Sequence, residues 1–313
     1  MQLMTNLEVN SIIHKHSSEI ENNHQKNIVS EVNGSEGTDS LQVFAPSLTA
    51  LEMEMDLIYA IEHNQFELYY QPKVDAKANL IIGAEALIRW NHPEMGLILP
   101  NEFIPHAEKT GFINQIGKWV KQTACAQNKA WQDANLPAIP VSINLSASRF
   151  IEADLVSSIK KTLKETRLEA QYLEIEITET SILENEEIVF SLLDEIRSLG
   201  IKIALDDFGT GYSSLSNLHH FNEKIDTLKI DRSFIKDLSI SKKEDANFIV
   251  HMIIQLSHYL KMDVIAEGVE TTEQLQVLQN YNCNMVQGYL YSKPLPADQF
   301  AELLKKQRIN PTG

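Results

Sequence analysis

The chain has only two cysteines, Cys125 and Cys283, far apart and in no CxxC pair, so neither a disulfide framework nor a structural zinc site is indicated. No run of roughly eighteen apolar residues occurs, and the N-terminus lacks the basic start and apolar stretch of a secretory signal. Both absences point to a cytoplasmic protein without a membrane segment. Positive charge is scarce as well: 27 Lys and Arg stand against 43 Asp and Glu, for a net charge of −16 at pH 7. Such a field repels nucleic-acid polymers and anionic membranes, so an anionic ligand needs local help such as metal ions. A dinucleotide fingerprint is also missing, because Gly209-Thr210-Gly211 is too short to serve, and no short period marks a solenoid. What is present is 313 residues, 43% hydrophobic and 22% charged, the composition of one large globular domain plus a tail.

Residues 1–48 are polar, with a small-residue run from Asn33 to Ser40, and read as a mobile N-terminal extension or linker. The body, residues 49–313, opens at Thr49, a candidate helix N-cap, with Leu57, Ile58 and Ile61 at helical spacing between Leu51 and His63. Eight β-rich runs follow: Phe66–Gln71, Leu80–Ile88, Ile139–Asn144, Leu173–Ile177, Ile201–Asp206, Thr227–Ile230, Val264–Glu267 and Met285–Gly288. Helical patterns separate most of them, including Glu184–Leu199 closed by Gly200, and Asp245–Leu260. Strands alternating with helices predict parallel βαβ units, and eight of them favour a closed α/β barrel over an open doubly wound sheet.

Strand after strand ends in a polar or charged residue: Glu85, Asn144, Glu176, Asp206 with Asp207, Lys229, Glu267 and Gln287. In a β/α barrel those ends converge on one face, where active sites are assembled. Carboxylates gathered there must take up protons or bind cations. An all-oxygen donor set suits Mg²⁺ or Mn²⁺ better than zinc. Asp206 and Asp207, adjacent at the end of Ile203-Ala204-Leu205, are placed to bridge two ions from one strand. The segment Phe208–Ser214 reads as a mobile active-site loop or as an ordinary strand-to-helix turn. Lys229 alternates with Leu228 and Ile230, which leaves two roles open: activation of a water beside the carboxylates, or a structural ion pair with Asp231. His219 and His220 read as exposed loop residues, and Trp119 and Trp131 as packing residues.

These residues fall into ordered motifs: Tyr70-Gln71-Pro72, Glu85-Ala86-Leu87 followed by Arg89-Trp90, Asn144-Leu145-Ser146, Glu176-Ile177-Thr178-Glu179, Asp206-Asp207-Phe208-Gly209-Thr210-Gly211, Lys229-Ile230-Asp231, Ala266-Glu267-Gly268-Val269-Glu270 and Gln287-Gly288-Tyr289. Over about residues 50 to 305 the chain resembles an EAL domain. The resemblance implies a modified TIM-type (β/α)₈ barrel with an antiparallel first strand. It also implies a phosphodiesterase that opens cyclic di-GMP to linear 5'-pGpG with two Mg²⁺ or Mn²⁺ ions; Ca²⁺, larger and looser in its coordination, is expected to bind without organising the attack and so to inhibit. By resemblance, Glu85, Asn144, Glu176 and Asp206 hold one ion, and Asp206 with Asp207 the other. Lys229 contacts the attacking water, Glu267 and Gln287 order water, Glu270 braces the Asp207 loop, and Gln71, Leu87 and Arg89 contact the substrate.

All these positions carry the family residues, which favours catalysis over the rival expectation, a non-catalytic cyclic-di-GMP receptor that signals to a partner protein. An unrelated metal-dependent barrel, such as a lyase, would explain the acids but not the ordered motifs. The family also implies a homodimer coupled through the loop after Asp207. Gln42–Pro46 faintly resembles the connection to a diguanylate cyclase domain, yet no Gly-Gly-Asp-Glu-Phe motif occurs, so the input domain or regulatory partner is unidentified.

Overall fold

A computed structural model describes residues 50–146, 154–183, 186–209, 223–239 and 245–311. The expected N-terminal extension, the Thr49 cap and His219-His220 lie outside these residues.

Among the described residues ten strands share one sheet, numbered here β1 (Phe66–Asp75), β2 (Ile81–His92), β3 (Gly96–Ile98), β4 (Val141–Asn144), β5 (Leu173–Thr178), β6 (Lys202–Phe208), β7 (Thr227–Ile230), β8 (Asp263–Ala266), β9 (Met285–Val286) and β10 (Leu295–Pro296). From β2 through β4, β5, β6, β7 and β8 to β9, each neighbour is parallel to the last. The ring is closed by β1, which pairs antiparallel with β2 on one side and with β9 on the other. Eight strands therefore form a closed mixed barrel, with β3 and β10 appended outside it. The first strand runs antiparallel because a tight connection, in which Asn79 takes a left-handed φ of 55°, folds β1 straight back onto β2. A parallel neighbour would need a long crossover.

Alternation along the strands explains why both faces are buried. On β2, Ala84, Ala86, Ile88 and Trp90 have one parity and face the surrounding helices; Gly83, Glu85, Leu87 and Arg89 have the other and face the barrel axis. The helix Ile113–Asp133 buries Ile116, Val120, Ala124 and Trp131, at spacings of four and seven that keep one stripe against the barrel wall. Trp131 packs edge-on against Tyr70 at 4.7 Å between ring centroids, and Trp119 meets Phe66 at 5.8 Å, so both tryptophans serve packing, as their positions suggested.

The expected helices appear within a few residues of their sequence limits, as Ala50–Glu62, Glu186–Ser198 and Asp245–Tyr259. Gly200, at φ 88°, closes the second of them by donating its N–H to the Arg197 carbonyl at 2.8 Å. Just past β8, Thr271 and Gln274 exchange side-chain and backbone hydrogen bonds in a capping box that starts the helix Thr272–Asn280 and fixes the turn carrying Glu267. Among the described residues, no helix is long and apolar enough to cross a membrane.

Candidate active site

The inward-facing residues at one end of the barrel are those picked out by the strand ends. Lys229 lies at the centre, with 1% of its surface exposed. Its ammonium donates to Glu176 Oε2 at 2.6 Å and lies 2.8 Å from Glu267 Oε1, 2.9 Å from Asp206 Oδ1 and 3.6 Å from Glu85 Oε2. The alternative of an ion pair with Asp231 gives way here, because Asp231 caps the helix Arg232–Ile235, accepting the Ser233 N–H at 2.9 Å. Around Glu85, Asn144 donates to Oε1 at 2.9 Å and Gln287 to Oε2 at 2.7 Å. The Gln287 amide nitrogen also reaches Gln71 Oε1 at 3.1 Å, and Gln71 in turn donates to the Ser292 carbonyl.

Asp206 and Asp207 would point to opposite faces on a regular strand. The β6–β7 register shifts between Leu205 and Phe208, and Asp207 adopts a left-handed φ of 55°. This bulge turns both neighbours toward one mouth. Oxygens of Asp206, Asp207 and Glu267 then lie within 4.8 Å of one another, a spacing at which one cation can touch all three. Gly209, at φ 95°, follows directly; a Cβ there would sit 2.6 Å from the Phe234 ring, so the turn after the bulge admits no side chain.

The electrostatics follow from crowding. Five carboxylates, Glu85, Glu176, Asp206, Asp207 and Glu267, share the mouth with a single lysine at their centre. Burial pushes the Glu85 and Asp206 carboxyls above their ordinary range, with Glu176 adding repulsion and Lys229 opposing the shift. Burial also pushes Glu267 up, to about 8, and raises Asp207. Glu176 behaves differently: burial would raise it, but Lys229 and Lys73 outweigh burial and hold it below the usual carboxylate range. Lys229 itself is raised, the surrounding acids overcoming its desolvation.

Above the carboxylates the wall continues along β1 and β2. Leu87 and Arg89 are half-buried on the axial face, and the Arg89 guanidinium lies 5.5 Å from the centroid of the Tyr69 ring. Burial lowers the Arg89 pKa. Glu270 is not drawn into the cluster: its side chain is exposed, and the loop it was expected to brace, residues 210–222, lies outside the described residues.

Lys73 is a buried member of the network that the sequence did not point to. It donates to Glu176 Oε1 at 2.8 Å and also to Glu174. The first β-rich run of the sequence reaches only Gln71, whereas β1 continues through Pro72 to Asp75 and places Lys73 two residues deeper on the axial face. The alternation Gln71, Lys73 was the available signal.

Residues 54–294 match the model of the EAL domain. The chain belongs to the EAL domain family. It is 42% identical over 249 residues to the bifunctional diguanylate cyclase/cyclic di-GMP phosphodiesterase MucR of Pseudomonas aeruginosa, an alignment covering 80% of this chain and 36% of that protein. It is 38% identical over 271 residues to the cyclic di-GMP phosphodiesterase NbdA of the same organism, covering 87% and 34%. The chain thus spans about a third of the length of these relatives. Among solved structures, the MucR phosphodiesterase in complex with c-di-GMP superposes with a TM-score of 0.74 at 42% identity, covering 79% of this chain and 99% of that one. The EAL enzyme Bd1971, in a form bound to cAMP and cyclic di-GMP, gives a TM-score of 0.75 at 35% identity over 82% of this chain and 69% of that one.

Proposed function

We propose that this EAL domain is a metal-dependent hydrolase that opens cyclic di-GMP to linear 5'-pGpG. The observation that carries the reading is the carboxylate ring around Lys229, in which Asp206, Asp207 and Glu267 are spaced for a cation and no ring position has lost its acid. Receptor-type relatives need only the pocket; a complete ring of mutually repelling acids costs stability that catalysis justifies.

The donor set fits hard divalent cations. All candidate ligand atoms are oxygens, and Gln287 keeps a buried Oε1 with no hydrogen-bond partner among the described residues, a lone pair available to a water. Glu85, Asn144, Glu176 and Asp206 would hold one Mg²⁺ or Mn²⁺, and Asp206 with Asp207 the second. Bound there, such ions supply an ionised water at neutral pH and neutralise the phosphate charge.

The chain's own groups do the rest. Lys229, held by three carboxylates within 3 Å, would contact the attacking water once an ion draws one of those carboxylates away from the ammonium. Glu267, 2.8 Å from the Lys229 ammonium, would order a water at the second ion. Arg89, half-buried above the acids, offers a fork of N–H donors to a substrate phosphate, and Leu87 offers apolar surface to a purine. Gln71 and Gln287, hydrogen-bonded to each other, set the orientation of Glu85. A homodimer coupled through residues 210–222 belongs to the same proposal, as does control by an unidentified input domain or partner protein.

The test is incubation of the purified chain with cyclic di-GMP and Mg²⁺ or Mn²⁺, with products resolved by chromatography and Glu85→Ala as control. Metal-dependent pGpG that is absent from the control supports the enzyme. Tight binding without product moves the protein to the receptor class.

A further inference from the structure

Glu176 is the most enclosed acid of the site, with none of its surface exposed, and each of its oxygens meets a different lysine. Lys229 takes Oε2 at 2.6 Å from the side of the mouth. Lys73 takes Oε1 at 2.8 Å from the layer below, where it also holds Glu174. We infer that Lys73 is a positioning residue of this barrel: by fixing Glu176 Oε1 from beneath, it orients the carboxylate so that Oε2 faces the cation site. The inference rests on the proposed metal site and deepens it.

The inverted first strand makes this possible. On β1, Gln71 is level with Glu85 and Lys73 with Gly83, so reading along the chain descends from the mouth toward the barrel floor. Gly83 places no side chain in that layer, and the Lys73 stem fills the space, its Cδ 3.4 Å from where a Gly83 Cβ would be. Beneath lies a cavity of about 420 Å³ lined by Lys73, Glu174, Lys202, Thr227, Asp263 and neighbours, at the end of the barrel opposite the carboxylates. Lys73 is thus a stopper between that cavity and the site. Glu174, two residues before Glu176 on β5 and facing the same way, anchors it from the floor side. Charges alternate down the axis: Glu267 and Asp206, Lys229, Glu176, Lys73, Glu174.

Charge alone and positioning predict opposite results for cation binding. Removing a lysine from an acidic site should tighten cation binding by relieving repulsion. Removing the group that fixes a ligand's orientation should weaken it, by about tenfold or more where a ligand's outer partner is lost. Removing Lys73 alone leaves Glu174 buried without its partner, which threatens folding; removing both members of the pair avoids that cost and keeps net charge constant.

The experiment compares wild type, Lys73→Met, and Lys73→Met/Glu174→Leu, measuring Mn²⁺ binding without substrate from the loss of the free-ion electron paramagnetic resonance signal, and melting in EDTA. We expect the double variant to melt like wild type yet bind Mn²⁺ about tenfold more weakly. Mn²⁺ affinity in the double variant equal to or tighter than wild type overturns the role of Lys73 while leaving the metal site standing. Wild-type protein that binds no Mn²⁺ overturns the metal reading and this inference with it.

Discussion

The amide of Asp207 donates to Oδ1 of its neighbour Asp206 at 2.9 Å, and this contact is made from a left-handed backbone at φ 55°. Two adjacent acids face one mouth only because of that turn. Asn tolerates the left-handed region, whereas a β-branched residue does not. Asp207→Asn should therefore melt close to wild type while losing a hundredfold or more of its turnover, on the order of the loss of a metal-site charge. Asp207→Val should lose the activity and also about 1–3 kcal/mol of stability. Equal melting of the two variants would show that the bulge carries no strain.

Lys229 is the cation around which the metal-free site is built. Lys229→Met leaves Glu176, Asp206, Glu267 and Glu85 facing one another, and breaking such a buried array costs about 3–5 kcal/mol. Melting in EDTA should drop accordingly. Mg²⁺ should recover more of the loss than it adds to wild type, since the cation then replaces the ammonium. Turnover should stay absent even at saturating Mg²⁺; retained turnover would remove Lys229 from the chemistry.

Gly288 follows Gln287 where the chain passes against the turn after β8. A Cβ there would lie 2.1 Å from the Val269 carbonyl oxygen and 2.3 Å from its nitrogen, both backbone atoms that cannot step aside. Gly288→Ala should shift Gln287 off Glu85, lowering turnover together with the melting temperature. A variant that melts and turns over like wild type would show that this close approach is not needed.

Much of the barrel was legible because its two burial rules differ. Outward positions such as Ala84, Ile175 and Leu228 are apolar against helices, and the inward positions at strand ends are polar, so alternation shows both faces at once. The antiparallel first strand was not readable from alternation, which is blind to strand direction; it came from the motif resemblance. Lys73 lies beyond the first β-rich run, which the sequence pattern carries only to Gln71, while β1 continues to Asp75. Asp207's direction was hidden too, since a one-residue bulge depends on the β6–β7 register, which only tertiary pairing sets. Burial of Lys229 could be suspected from parity, but its choice of four acids over Asp231 could not.

Ca²⁺ tests the geometry of the donor set. Larger than Mg²⁺ and content with irregular coordination, it should occupy the oxygens of Asp206, Asp207 and Glu267 without organising the attack. Ca²⁺ should raise the melting temperature yet inhibit Mg²⁺-supported hydrolysis competitively. Comparable rates with either ion would show that tight octahedral placement is not required.

Protons should compete with cations in a definite window. Burial lifts Glu267 from an ordinary 4.5 to about 8, so below that pH the metal-free protein holds a proton there that a cation must displace, and burial raises Glu85 and Asp206 in the same direction. Each proton released steepens the gain in affinity by up to about tenfold per pH unit. Mn²⁺ binding should tighten from pH 5 to about 8 and level off above it. Stability should move the other way. A carboxyl whose folded pKa lies above its unfolded value favours the unfolded chain as it ionises, so the melting temperature in EDTA should fall over the same interval. Glu176 does not oppose this trend, because its depressed pKa makes its stabilising ionisation complete above the ordinary carboxylate range. Saturating Mg²⁺ should flatten the fall, since the ion takes the place of the protons. Calorimetric titration with Mn²⁺ at several pH values, with melting in EDTA alongside, decides the matter: affinity independent of pH between 5 and 8 would mean that the acids at the barrel mouth are already ionised without metal.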